Sequence, residues 1–279
     1  MNLSGLQTFL AIVETGSLAR AAHRLNVTQS TITARLQSLE QEVGQTLINR
    51  QKSGATLTAA GMRLERYAET ISDLWRQARQ ETSLPDRFET VCNIGCHPNL
   101  WQGFGDAMFA AIHQQQGDVA ISVWRGDQQE LTRWLDRGRT DISITHWPTA
   151  NASQTVWAAG VDRLHLFATS PDAPIRFDPE YVFVEGGARF GRDHAATFSD
   201  ASTARLSFGD SGLGLEHILQ HGGSAYLPTR MTQTSVERGH LFEIKDAPRF
   251  ERPRYLVANT SAAKGWFWLE DLVSDLTDI

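Results

Sequence analysis

Apolar residues recur at helical spacing in three short blocks at the start of the chain, each separated from the next by small or polar residues. Leu6, Phe9, Leu10 and Val13 form one stripe. Gly16 and Ser17 then break and cap, and Leu18, Ala21, Ala22 and Leu25 form a second helix of about two turns. After a tight connection at Asn26 and Val27, Thr28 can cap a third helix with the buried stripe Ile32, Leu36, Leu39 and Val43, which Gly44 stops. This predicts helix, turn, helix, with Ser30, Ala34 and Gln37 opposite the buried stripe and Thr33 and Arg35 on its flanks. Short hydroxyls, an amide and a guanidinium suit base-edge and phosphate contacts in a major groove, though an ordinary solvated face has the same composition.

Two β-prone stretches follow, flanking a hairpin turn at Lys52-Ser53-Gly54 with Arg50 and Lys52 close by. From Thr58 onward Leu64, Tyr67, Ala68, Ile71, Leu74, Trp75 and Ala78 repeat at spacings of three and four. They predict a helix of about 25 residues that ends near Leu84-Pro85. Such a stripe needs a packing partner. Beyond Phe88, β-prone runs at 91–95, 119–124, 141–147, 164–169, 181–186, 224–228 and 254–259 alternate with helical stretches, which argues for α/β layering.

The 279 residues suffice for two or three domains, each with its own core. The opening stretch carries Glu14 and no basic leader, and no apolar run approaches the roughly 18 residues of a membrane span, so a cytoplasmic chain is expected. The two cysteines, Cys92 and Cys96, read as free thiols in a reducing compartment. The net charge of −6 argues against nucleic acid until its distribution is followed. Residues 1–87 hold ten Lys and Arg against eight Asp and Glu, a balance of +2, and the remainder holds 16 against 24, a balance of −8. Between Ser17 and Arg66 seven basic residues face three acidic ones, so phosphate attraction would be local to that segment.

From Leu6 to Gly61 the chain resembles the LysR family of bacterial transcriptional regulators. The likeness is carried by Phe9-Leu10-x-Ile12-Val13, Gly16-Ser17-Leu18-x-x-Ala21-Ala22-x-x-Leu25 and Thr28-Gln29-Ser30. It continues through Ile32-Thr33-x-Arg35-Leu36-x-x-Leu39-Glu40-x-x-Val43-Gly44, Leu47-Ile48-x-Arg50 and Leu57-Thr58-x-Ala60-Gly61. The resemblance implies an N-terminal all-α winged helix-turn-helix over residues 1–61 and a dimerising linker helix over 58–84. It implies further a C-terminal α/β effector domain over 88–279, built from two lobes like periplasmic binding proteins. Lobe I would comprise 88–160 and 254–279, and lobe II 161–253. A homodimer or homotetramer would read a pseudo-palindromic operator in double-stranded DNA, with no membrane, cofactor or metal involved. Thr28, Gln29, Ser30, Thr33, Arg35 and Gln37 would face the major groove, with Arg50 and Lys52 on the neighbouring backbone or minor groove. Many members carry arginine at the position of Ala34, where this chain has it at Arg35. A subgroup that includes a repressor of the flagellar master operon is similar at Ile94-Gly95-x-x-x-x-Leu100-Trp101, at Val184-Glu185-Gly186-Gly187 and at Ala225-Tyr226-Leu227-Pro228. Tryptophan is expected there in place of Gly186.

Ligands of two-lobed α/β domains sit beyond the carboxyl ends of strands. Cys96, His97 and Asn99 follow the first strand, Asp127 and Gln128 the second, and Thr145, His146 and Trp147 close the third. His221, Gly222 and Gly223 precede the 224–228 strand, and all eleven are candidates for binding a small effector, planar or anionic from the residue types. Three other motifs are set aside. Cys92-x-x-x-Cys96-His97 would span about 13 Å of one strand, too far for a disulfide, and has no second ligand cluster. Gly209-Asp210-Ser211-Gly212 lacks the context of a serine-protease loop, and Gly103-x-Gly105 lacks the third glycine of a dinucleotide fingerprint. The other reading is a cytoplasmic α/β small-molecule-binding protein or enzyme whose N-terminal helices serve as an interaction module. No converging nucleophile, acid and base can be named for it.

Overall fold

The computed structural model describes residues 3–51, 54–85, 87–176, 178–200 and 204–277. The chain divides into two compact units, Met1–Leu84 with Arg137–Arg139, and Pro85–Asp136 with Thr140–Ile279.

In the first unit, α1 (Leu3–Thr15), α2 (Leu18–Arg24) and α3 (Gln29–Val43) are followed by a hairpin of β1 (Ile48–Gln51) and β2 (Gly54–Leu57) and by α4 (Ala59–Thr82). The expected caps are in place. The side chains of Ser17, Thr28 and Thr58 accept from the amides of Arg20, Thr31 and Gly61, and Gly44 ends α3 in the left-handed region at φ 73°. Leu6, Phe9, Ile12, Ala21, Ile32, Leu36, Leu39 and Leu47 form the core. Two positions depart from the predicted stripes. Ile12 is fully buried where Leu10 and Val13 are only partly so, and Val43 is 42 % exposed because it sits on the last turn of α3, beyond its neighbours. A Cβ on Gly61 would lie 2.2 Å from the Leu47 carbonyl oxygen, so the first turn of α4 can approach the hairpin only with glycine there.

The second unit runs β3 (Thr90–Cys96), α5 (Pro98–Leu100), a kinked turn at Trp101–Gly105, α6 (Asp106–Gln115), β4 (Val119–Arg125), α7 (Gln128–Asp136), β5 (Ile142–Thr145) and β6 (Gln154–Ala168). Then come β7 (Val182–Val184), α8 (Ala188–Thr197), β8 (Leu206–Phe208), α9 (Ser211–His221), β9 (Ser224–Pro228), α10 (Thr229–Glu237), β10 (Phe242–Glu243), β11 (Phe250–Asn259), α11 (Thr260–Gly265) and α12 (Leu269–Leu276). The main sheet has the order β10-β6-β11-β5-β3-β4, with β9 also paired to β6. Strand β3 is parallel to both β4 and β5. Beside them β6 and β11 run antiparallel from Gln154↔Asn259 to Leu164↔Phe250, with an irregularity between Pro253 and Tyr255.

The strands predicted at 164–169 and 254–259 are thus the apolar ends of two longer ones, 15 and 10 residues long. Their remaining segments carry Asp162, Arg163, Arg252 and Pro253, which break the apolar alternation. Strands β8 and β10, of three and two residues, are too short to show a period. One core gathers Ile94, Phe104, Met108, Ile112, Ile142 and Leu256 with α12. Around β9 the two-residue alternation splits the packing: Ala225 and Leu227 join Val182, Val184 and Ile218, while Tyr226 joins Phe190, Phe198 and Phe250. No helix among the described residues is long and apolar enough to cross a membrane.

Candidate nucleic-acid interface and ligand cleft

In the first unit α3 turns Gln29, Ser30, Ala34 and Gln37 to solvent, with Thr33 and Arg35 half-buried on the flanks. Thr28 is also exposed, but its oxygen is engaged as the helix cap: it accepts from Thr31 N at 3.2 Å and lies 2.8 Å from Ser30 Oγ. No carboxylate occurs between Gln29 and Leu39. The first, Glu40, turns inward, where its Oε1 accepts from Leu47 N at 2.8 Å and Ile48 N at 3.3 Å. This charge-assisted pair fixes the hairpin to the helix and keeps negative charge off the polar face. The hairpin is also fastened to the α1–α2 turn, since Ala55 N donates to Gly16 O at 2.9 Å. Arg50 is exposed opposite Ala55, and Lys52 lies outside the described residues.

In the second unit the carboxyl ends of β3, β4 and β5 converge. His97 meets Trp147 and His146 edge-on, with ring centroids 5.7 and 5.8 Å apart. Gln128 donates to Trp147 O at 2.6 Å and accepts from the Thr145 hydroxyl, which itself accepts from Trp147 N at 3.1 Å. Asn99 is spent on other loops of the unit, accepting from Ser211 N at 2.6 Å and donating to Glu185 O at 3.3 Å. Asp127 caps α7 by accepting from Glu130 N at 2.8 Å. Trp147 packs so closely on Gly187 that a Cβ there would fall 2.1 Å from its ring. At Gly186 a Cβ would meet Phe190 at 2.5 Å, so Phe190 occupies that wall and tryptophan cannot be accommodated.

Two expectations fail. Cys96 is fully buried in the core, and burial pushes its thiol up to about 12, so it is neither cleft surface nor nucleophile. His221, Gly222 and Gly223 lie at the amino end of β9, the two glycines against Thr169 and Glu180, whereas the converging ends are carboxyl ends. The residue that β9 delivers to the cleft is Arg230, just past its carboxyl end, and the same rule applied to that end would have found it.

Arg230 belongs to a buried charge cluster that no run of sequence announced. Asp162 accepts from Arg230 Nε at 2.8 Å, Arg230 Nη2 at 3.0 Å and Arg252 Nη2 at 2.9 Å, and Arg254 Nη1 stands 3.8 Å away. Burial pushes the Asp162 carboxyl upward, but the hydrogen bonds and charges of Arg230 and Arg252 prevail and hold it well below the usual carboxylate range. Burial and Arg252 lower His97 to about 4 and His146 well below its ordinary value, so both rings are neutral. His146 Nδ1 lies 2.9 Å from the Pro253 carbonyl oxygen, which can only accept, so the hydrogen is on Nδ1. Among the described residues three guanidinium groups therefore gather at the single buried carboxylate of Asp162, with Glu185 acting on Arg252 from further off. Arg252 Nε and Nη1 and Arg254 Nη1 are buried without hydrogen-bond partners among the described residues. Arg254 is otherwise anchored, donating to Ala159 O at 2.9 Å and lying 4.4 Å over the Phe104 ring. Arg252 is left with donors to offer, a local demand for an anion.

Residues 3–62 match the family model described as a bacterial regulatory helix-turn-helix protein of the lysR family. The chain is 26 % identical over 260 residues to the HTH-type transcriptional regulator HdfR of Escherichia fergusonii, covering 92 % of this chain and 91 % of that one. Among solved structures it resembles ArgP from Mycobacterium tuberculosis, with a TM-score of 0.59 at 23 % identity over 98 % of this chain and 96 % of that one. It also resembles Vibrio fischeri DarR in complex with DNA, with a TM-score of 0.57 at 20 % identity over 100 % and 99 %.

Proposed function

Because this chain belongs to the LysR family of transcriptional regulators, we propose that it reads a pseudo-palindromic operator as a homodimer and that a small anion in its cleft regulates this binding. The winged helix-turn-helix of residues 1–61 is the reader, the helix of 58–84 the dimer contact, and 88–279 the effector domain, with lobes at 88–160 plus 254–279 and at 161–253. It works where DNA is, in the cytoplasm. The observation that carries DNA reading is the polar face of α3, free of carboxylates from Gln29 to Leu39 and open to solvent. Gln29, Ser30, Thr33, Arg35 and Gln37 reach base edges, while Arg50 and Lys52 on the hairpin hold the phosphate backbone. The solved DarR structure is a complex with DNA, which supports a DNA-binding reading of this chain. Along α4, Tyr67, Leu74 and Trp75 are 54, 49 and 49 % exposed at a spacing that puts them on one face, which suits burial against a second copy.

The anion is drawn by the guanidinium groups gathered at Asp162 and binds the donors of Arg252 that have no partner among the described residues. As the lobes stand they are tied by Asn99 to Glu185 and Ser211 and by Arg125 to Asp210 at 3.3 Å. An anion with different affinity for the tied and parted lobes shifts that balance. The test is a mobility shift with DNA upstream of the coding region and non-specific competitor, across a salt series, for the wild type, Arg35→Ala and Thr33→Ala. Site-selective, steeply salt-dependent binding that the variants lose is the expected result. Equal weak binding by all three would overturn the reading. A panel of carboxylates, phosphate and sulfate is then followed by tryptophan fluorescence and DNA footprint, and no response to any of them would remove the anion.

A further inference from the structure

Within lobe II lies a cavity of about 630 Å³ that shares no lining residue with the cleft around His97, His146 and Arg252. Its walls come from Tyr181, Phe183, His194, Phe198 and Tyr226, with Arg205 among the lining residues and exposed. The rings form a box. Tyr181 and His194 stack with centroids 5.7 Å apart and planes at 11°, His194 meets Phe198 at 4.8 Å, and Tyr226 stands edge-on to His194 at 5.6 Å. The Tyr181 hydroxyl is 2.9 Å from His194 Nε2, and burial lowers His194 so that its ring is neutral. Tyr226 is only 2 % exposed, yet its hydroxyl has no hydrogen-bond partner among the described residues. Native folds rarely leave such a group unpaired unless something else completes it.

We propose that this cavity is a second small-molecule site, distinct from the cleft, that takes a flat aromatic carboxylate. Its ring lies among Phe183, His194 and Phe198, one carboxylate oxygen pairs with the Tyr226 hydroxyl, and the other turns to Arg205. The volume falls within the range of about 300–1,000 Å³ that small-molecule sites occupy. Ring faces and edges on all sides favour a planar π-system over an aliphatic chain. Arg176, also at the cavity, is already tied to Asp200 at 2.5 Å and Thr197 O at 3.1 Å, which leaves Arg205 as the cation for the acid group. Helix α8 starts beside Gly187, against Trp147 of the cleft, and carries His194 in this wall, so both sites bear on one helix.

The probe is 2-naphthoate, titrated calorimetrically into the full chain. The wild type should bind it saturably, Tyr226→Phe about tenfold more weakly, and Ala195→Trp, which fills the cavity from an exposed position on α8, not measurably. Tyr226→Phe keeps the ring contacts and should unfold no earlier than the wild type, because the hydroxyl it removes is unpaired. Thermal unfolding of both variants, followed by near-UV circular dichroism, reports that they fold. His97→Ala, a cleft change, should bind the probe as the wild type does. Three results would each overturn the second site: no saturable binding by the wild type at millimolar probe, unchanged binding in Ala195→Trp, or loss of binding in His97→Ala.

Discussion

Asp162 and Arg230 meet through two parallel hydrogen bonds, Nε to Oδ1 at 2.8 Å and Nη2 to Oδ2 at 3.0 Å, with the carboxylate fully buried and the guanidinium nearly so. The same Arg230 Nη2 donates to Asn99 O at 2.5 Å, so the pair joins the start of α10 to α5, just past β3. Removing the carboxylate would leave three guanidinium groups together in a site of low dielectric. Asp162→Asn is therefore expected to lower stability by about 3–5 kcal/mol in urea unfolding. Because the folded pKa is depressed, the contribution is present above the ordinary carboxylate range and is lost as pH falls below it. The acid limb of the wild-type stability curve should flatten in the variant; an unchanged curve would mean that Asp162 carries little of it.

The buried histidines give a second pH window, of different origin. The unfolded chain protonates His97 near the ordinary histidine value and the folded chain only at about 4, so between those values the unfolded state binds more protons and stability falls as pH is lowered. His146 acts in the same direction. His97→Gln is expected to reduce the slope of stability against pH in that interval. The check is denaturant unfolding at closely spaced pH values.

Glu40 faces away from the polar surface of α3, yet it should matter for DNA binding. Glu40→Ala strands the amides of Leu47 and Ile48 and loosens the hairpin from the helix. The expected cost is about 1.5–3 kcal/mol, the range for a hydrogen bond to a charged group. Operator affinity should weaken alongside it. Normal stability with normal binding would show that the hairpin needs no such tie.

Gly187 stands at φ 91° against the Trp147 ring, so Gly187→Ala adds both backbone strain and a clash. Parting of the lobes is the expected relief, read as a change in tryptophan emission and in the affinity for anions. Emission identical to the wild type would contradict the contact.

On α4, Trp75→Glu and Leu74→Glu place charge on the exposed apolar face. Sedimentation should show a shift to monomer with loss of tight operator binding. A dimer that survives both changes would put the interface elsewhere.

The first unit was legible save at Ile12 and Val43 because nearly every signal in it is local. Helical spacing, the hydroxyl caps Ser17, Thr28 and Thr58, and Gly44 at a left-handed helix end all act within one or two turns. The family resemblance of Leu6 to Gly61 rests on those same positions. The carboxyl-end rule picked out His97, Thr145, His146 and Trp147, which the fold brings close together, and it missed Arg230 because it was applied to the wrong end of β9. What only the tertiary structure decided is the charge cluster. Asp162 lies 68 positions from Arg230 and 90 from Arg252; in the sequence Asp162 and Arg252 look like interruptions of apolar strands, and Arg230 like an ordinary residue after one. Pairing β6 with β11 and ending β9 beside them turns these scattered charges into one buried ionic site. Periodicity reports which face of an element is apolar, whereas the meeting of charges across a sheet depends on register, and register is a property of the folded chain.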